Sequence, residues 1–254
     1  MVLNAIEANP LVSVIMPAYN SGAFILSAIN SVLNQTYQNF ELLIIDDCST
    51  DNTVELVSTL NDSRIKLFSL ENNSGSPAKP RNLGLSLCSG QFIAFLDSDD
   101  LWMATKLEKQ IKFMLINGLD FTCTNYNVID QYGNYLNSFQ PLPFVDYDKL
   151  LKNNSVGCLT AIVSKRLIDG SFFPSCGHED YALWLKLLRK IDGVYSVNEN
   201  LASYRKYPGS VSSRKLKLIP FFWNIYKNEE GFNSLMSLYY CFRYLFFVTW
   251  FKYK

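Results

Sequence analysis

The stretch "ELLIIDDCSTDNT", residues 41–53, runs four apolar residues into two consecutive acids and then into Ser, Thr and Asn, the residue types that start helices. It reads as a buried strand whose C-terminal end carries carboxylates, with Ser49 or Thr50 opening the helix "TVELVSTLND". Upstream, "LVSVIMPAYN" (11–20) is another β-branched strand that stops at a loop. "SGAFILSAINSVLNQTYQNF" (21–40) follows with Phe24, Ala28, Ser31 and Val32 at helical spacing and Ser21 as its cap. Downstream come a weaker strand "RIKLFSL", the loop "ENNSGSPAKPR", the helix "NLGLSLCSG" and the strand "QFIAFLDSDD". Strands and helices alternating at this interval predict a mostly parallel sheet covered on both faces.

In open α/β sheets ligands bind beyond the C-terminal ends of the strands, and Asn20, Asp46, Asp47, Asp97 and Asp99 all fall at such ends. Within "IAFLDSDDLW" (93–102) the acids Asp97, Asp99 and Asp100 repel one another, so positive charge is expected nearby. Asp100 is expected to cap the helix "LWMATKLEKQIKFML". Beyond residue 119, "DFTCTNYNVID" and "GCLTAIVSKRLI" read as strands and "VDYDKLLKNN" as a short helix. "HEDYALWLKLLRKI" (178–191) is an amphipathic helix with acids in its first turn, where the helix dipole favours them. "VYSVNENLASYR" reads as a last strand before an exposed turn, "KYPGSVSSRK".

The chain has 254 residues and is 48% hydrophobic, ample for a large core. Its 23 basic and 23 acidic residues balance, but unevenly: residues 1–200 carry 14 basic and 21 acidic side chains, residues 201–254 carry 9 and 2. Six scattered cysteines with no CxxC pair argue against a zinc site and for reduced thiols in a cytosolic compartment. "MVLNAIEANP" lacks the pattern of a secretory signal.

"VSVIMPAYN", "SVLNQTYQNFELLIIDDCSTDNT", "RNLGL", "FLDSDDLW" and "HEDYALWLKLL", in this order, resemble the family-2 inverting glycosyltransferases, with greatest likeness to bacterial enzymes that extend O-antigen, capsule or teichuronic-acid units on a lipid carrier. The resemblance covers about residues 11 to 215 and implies a GT-A fold: an α/β domain over 1–215, with a nucleotide-sugar half at about 11–102 and an acceptor half at about 103–215. It implies that Asp47 meets the uracil ring, that Pro17, Tyr19 and Asn20 shape the nucleotide pocket, and that Asp97, with Ser98 beside it, approaches the ribose. Asp99 would hold Mn²⁺ or Mg²⁺ on the diphosphate, Arg81 and Asn82 would close the donor pocket, and Asp180 would be the catalytic base. Glu179, His178 and Trp184 are expected to support the base or the acceptor; Lys79 is either a solvated charge or a diphosphate contact. His178 is open to three readings: a cap or surface imidazole, an acceptor or Asp180-tuning group, or a metal ligand. The chain departs from the family where a histidine is common near "YRKYPGSVS" and Tyr207 stands instead, which leaves the third metal ligand open, and at Pro80, where small residues are common.

The implied reaction moves a hexose, glucose or galactose, from a UDP-sugar to an undecaprenyl-diphosphate-linked saccharide, inverting the anomeric centre to a β-linkage. The rivals are an N-acetylhexosaminyltransferase of the same pathway and a non-catalytic nucleotide-binding scaffold. Carboxylate oxygens suit a hard divalent cation that stabilises charge on the leaving diphosphate, and a separate carboxylate is needed to take the acceptor proton. Residues 216–254 are basic and strongly aromatic; Leu235 to Phe251 is interrupted by Arg243, which suits a helix lying on the cytoplasmic face of the inner membrane better than a span. Packing on the catalytic domain or in an oligomer is the competing expectation for this tail. No motif points to nucleic acid.

Overall fold

The computed structural model describes residues 9–207 and 219–250, with no side chain described beyond residue 244. The expected turn at 206–215 therefore lies mostly outside the described residues, as do the tail's Lys217, Lys252 and Lys254.

Four strands make the parallel half: β1 (Val12–Ala18), β2 (Phe40–Asp46), β3 (Ile65–Ser69) and β4 (Phe92–Phe95), in spatial order β3-β2-β1-β4. Their period-2 alternation feeds two cores. Ile15, Leu43 and Ile45 face one side, Val14, Met16, Leu42 and Ile44 the other, which is why these runs are apolar throughout. Helix α1 (Ile25–Leu33) presents Ile25, Ala28, Ile29 and Val32 to the second side, and α2 (Thr53–Ser58) lies beside it. On the first side, α3 (Ala78–Leu87) comes so close to β1 that a Cβ on Gly84 would sit 2.5 Å from Ile15. The glycine of "RNLGL" is thus required by helix-on-strand contact. Pro80 lies in the first turn of α3, where a missing N–H costs nothing.

The chain runs from β1 outward to β2 and β3 and returns to β4 on the other side of β1, so the order reverses between β1 and β4. Beyond β4 the sheet becomes mixed. β9 (Ile162–Ser164) joins β4 and β6 (Phe121–Ile129) antiparallel, and β10 (Val194–Arg205) runs parallel to β6 with two register shifts. The short strands β7 (Tyr135–Phe139) and β8 (Phe144–Val145) extend β6 and β10. Helix α4 is Lys106–Asn117, α5 Tyr147–Lys152 and α6 Lys165–Ile168; "GCLTAIVSKRLI" is thus a 3-10 turn, a three-residue strand and a helical turn rather than one strand.

Three expected caps are corrected. Ser21 Oγ bonds Ser98 Oγ at 2.7 Å, and α1 starts without a side-chain cap. The second helix begins at Thr53, with Asp51 rather than Ser49 or Thr50 accepting from its first N–H. Asp100 caps nothing: Leu101–Trp102 forms β5 against Ala202 and Ser203 of β10, and the helix starts only at Lys106.

The C-terminal segment is built into the fold. After α7 (Glu179–Leu188) and β10, helix α8 (Ile219–Asn224) continues through a wider turn, Ile225–Glu229, to α9 (Ser234–Trp250). Phe222, Ile225, Tyr226, Cys241 and Tyr244 are buried in the same core as Trp184. The opposite side of α9 exposes Leu235, Met236, Leu238, Tyr239, Phe242 and Arg243. Among the described residues no helix is long and apolar enough to cross a membrane, and all six cysteines are free.

Candidate active site

The loops leaving β1, β2 and β4 are tied together at the sheet's C-terminal edge. Asn20, held left-handed at φ 46°, accepts from the Thr50 N–H at 2.8 Å, and its own N–H donates to Ser49 Oγ at 2.9 Å. Asn tolerates this backbone region better than most residues, which gives the residue a structural reason. Pro17 is buried in β1, and Tyr19 is half exposed beside Asn20. Asp47 is buried and accepts three hydrogen bonds, two from the Ser74 N–H (2.9 and 3.1 Å) and one from Ser74 Oγ (2.9 Å). A carboxylate offers about four lone-pair positions, so Asp47 keeps acceptor capacity beyond these contacts.

The repelling acids after β4 are met by two arginines distant in sequence. Buried Arg81, on α3, donates from Nη2 to Asp97 Oδ1 and from Nη1 to Glu179 Oε1, each at 2.5 Å, while its Nε has no protein partner among the described residues. Arg205 donates its N–H to Asp100 Oδ1 (2.8 Å) and its Nε to the Asp99 carbonyl (2.7 Å). Burial pushes Asp100 well above the usual carboxylate range. Asp99 is raised to about 6, by burial first and then by the charge of Asp97, and its Oδ2 accepts from Tyr207 OH at 3.1 Å. Burial and Asp99 in turn push the Tyr207 phenol up to about 12.

Asp180 lies in the first turn of α7, half buried, its Oδ1 accepting from the Tyr181 N–H at 2.8 Å. Burial, then the charge of Glu179, raises it to about 6, with Arg81 pulling the other way. The chain Asp97–Arg81–Glu179 therefore runs from the donor-side loop to the helix that holds the proposed base. Cys158 stands close enough to Arg81, Asp97 and Asp180 to feel their charges, and burial pushes its thiol well up.

Of the remaining predicted positions, only Trp184 departs from expectation. Asn82 exchanges two hydrogen bonds with the Phe173 backbone (2.9 and 2.8 Å), which fastens the segment before α7. Trp184 is fully buried among Phe95, Phe121 and Phe173, with ring centroids 5.0–6.0 Å apart; it supports α7 from below and cannot meet an acceptor. His178 is packed edge-on and tilted against Phe221 and Phe222. Lys79 is exposed on the first turn of α3. Sequence reasoning missed Glu179 as the partner of Arg81, and Arg205 and Cys158 altogether; Tyr207, singled out because it stands where a histidine is common, proves to donate to Asp99. Among the described residues no three His, Cys, Asp or Glu side chains converge as a metal cage. A groove of about 710 Å³ lies at the opposite, N-terminal ends of β1 and β4 and contains none of these residues.

Comparison with known proteins places this geometry. The chain is 42% identical over 237 residues, 92% of either chain, to the UDP-Glc:alpha-D-GlcNAc-diphosphoundecaprenol beta-1,3-glucosyltransferase WfgD of Escherichia coli. It is 40% identical to the putative teichuronic acid biosynthesis glycosyltransferase TuaG of Bacillus subtilis, covering 90% of this chain and 92% of that protein. In fold it is similar to TarS 1–349 of S. aureus solved with UDP-GlcNAc, with a TM-score of 0.73 and 23% identity over 94% of this chain and 73% of that one. The sequence profile described as glycosyl transferase family 2 matches residues 13–164, and the chain belongs to that family of enzymes.

Proposed function

We propose that the protein transfers glucose from UDP-glucose to a sugar carried on undecaprenyl diphosphate during bacterial surface-polysaccharide synthesis, with inversion to a β-linkage. The observation that carries the reaction type is Asp180: a carboxylate raised to about 6, on a helix tied through Glu179 and Arg81 to the strand-end acids. A base poised near the working pH is what removal of an acceptor proton asks for. The donor and acceptor rest on the likeness to WfgD, whose name specifies UDP-Glc and a diphosphoundecaprenol-linked GlcNAc.

In the proposed reaction the acceptor hydroxyl oxygen attacks C1 while Asp180 takes its proton, and UDP leaves with the bonding electron pair. Arg81 keeps Glu179 paired, so that Asp180 has one uncompensated neighbour fewer, and it fixes Asp97 for the ribose. Asp47 holds the base through its remaining lone pair. The residues fit a divalent cation, since Asp99 is a carboxylate destabilised by burial and by a like charge, and Mg²⁺ sites commonly use one or two carboxylates plus substrate phosphates. Held by Asp99 with Asp97 beside it, such an ion would offset the charge of the departing diphosphate.

The exposed apolar side of α9, with Arg243 on it, is the surface we assign to the cytoplasmic face of the inner membrane, as a peripheral contact. The test is a donor screen with a synthetic GlcNAc-diphosphate lipid, with NMR of the product. Turnover of UDP-glucose to a β-glucoside is expected, efficient use of UDP-GlcNAc would favour the hexosaminyl rival, and nucleotide binding without turnover of any donor would favour a scaffold.

A further inference from the structure

The turn that leads into α7 has an unusual backbone. Gly177 (φ 68°) and His178 (φ 52°) are both left-handed, and the helix begins directly afterwards with Glu179 and Asp180. For histidine this conformation is strained and persists only where its surroundings impose it. His178 makes no side-chain cap to α7, so the helix itself does not supply the reason.

The C-terminal segment does. A Cβ on Gly177 would stand 2.5 Å from the ring of Phe221, so that ring lies directly against the turn. The Phe222 ring lies 4.9 Å from the imidazole of His178, is stacked on Tyr244 of α9 at 3.6 Å, and touches Tyr181 of α7 at 5.6 Å. Behind them, Tyr181 OH and Tyr226 OH are 3.1 Å apart, and both reach the Leu151 carbonyl. Upstream, Asn82 clamps Phe173. The turn is therefore fixed at its entry by α3 and pressed from outside by α8.

We infer that Phe221 and Phe222 are positioning residues for the catalytic base: the C-terminal helices hold Gly177–His178 in the left-handed turn that aims Asp180 at the acceptor. The inference rests on the reading of Asp180 as base. It gives the segment after residue 216 a part in the reaction separate from any membrane contact, because Phe221 and Phe222 face the turn while the exposed apolar residues lie on the other side of α9. Catalysis is sensitive to this kind of placement, since a displacement of about 1 Å can cost on the order of 100-fold in rate.

Phe221 is partly exposed, so Phe221→Ala should fold, and it is the first variant to make in the full chain. Expected are a fall in kcat of about tenfold or more with KM for UDP-sugar and Kd for UDP within about twofold of the parent, and recovery in Phe221→Tyr, which restores the ring. Phe222→Leu, which keeps apolar volume without the ring face, should lower kcat in the same way. Unchanged kcat in both Phe221→Ala and Phe222→Leu would overturn the inference. So would a loss of kcat that follows a loss of UDP binding and that Phe221→Tyr does not reverse. Asp180→Asn, measured alongside, separates the two readings: near-normal transfer by it refutes Asp180 as base, whereas a dead Asp180→Asn with fully active ring variants refutes the positioning role alone.

Discussion

Lowering the pH from about 8 to about 5 should cut kcat to roughly a tenth of its plateau, because one unit below its pKa about a tenth of a carboxyl remains in the base form. The perturbed group is Asp180, raised to about 6 by burial and then by the Glu179 charge. At an ordinary value near 3.8 more than about nine tenths of it would still be ionised at pH 5, and the profile would be flat there. The sign follows from the role: the base must be deprotonated, so activity rises with pH through the inflection and levels off above it. Saturating donor and acceptor make the rate report the substrate complex rather than the free enzyme. Glu179→Gln sharpens the test. It removes a negative neighbour and leaves Arg81 less neutralised, and both changes move the Asp180 inflection to lower pH. A kcat profile flat down to about pH 4.5, or an inflection that Glu179→Gln moves upward, would refute the assignment.

Asp180→Asn should lower transfer by orders of magnitude with UDP affinity retained, as equilibrium binding and single-turnover assays will read. The same variant should melt at a higher temperature than the parent above about pH 6: a carboxyl whose folded pKa is raised costs stability as pH climbs from its ordinary value through about 6, on the order of 3 kcal/mol at the top, and the difference should vanish near pH 4. Arg81→Met should destabilise by roughly 3–5 kcal/mol in urea denaturation, because Asp97 and Glu179 lose their shared cation. Truncation before residue 217 should yield insoluble chain rather than a soluble, membrane-released enzyme. It strips Phe222, Ile225, Tyr226 and Tyr244 from the core at about 1.5–3 kcal/mol each, comparable to a domain's whole stability; recovery of folded protein by circular dichroism would contradict this.

The parallel half was legible because β1 and β2 are buried on both faces, which leaves continuous apolar runs that end where the acids begin. Cap residues were not, because the same hydroxyls and carboxylates serve loop-to-loop contacts that only the assembled edge creates: Ser21 meets Ser98, 77 residues away. Two-residue β5 pairs with β10 about a hundred residues later, and nothing local announces it. Glu179 finds Arg81 across 98 residues, so the acids of "HEDY" and "FLDSDD" gave no hint that one guanidinium serves both. Trp184 is different, since its signal was present. Tyr181, Trp184, Leu185 and Leu188 recur at helical core spacing, and that pattern should have outweighed nearness to Asp180.

Charge accounting at the assembled site supports the proposed divalent cation. Asp97, Asp99, Asp100, Glu179 and Asp180 face Arg81 and Arg205, five carboxyls against two guanidinium groups. Asp100 is pushed well up by burial and has an oxygen with no partner among the described residues, so it is left out of the count. Four anions and two fixed cations then leave an excess of two negative charges, which an arriving diphosphate would increase. Asp99 is where that excess is least compensated, since Arg205 reaches only its carbonyl and Tyr207 offers a neutral hydroxyl. An ion binding there stabilises the fold by mass action whether or not transfer occurs. Mn²⁺ or Mg²⁺ with UDP should therefore raise the melting temperature of the parent above that with UDP alone, and Asp99→Asn should abolish the increment. An equal increment in Asp99→Asn would put the ion elsewhere.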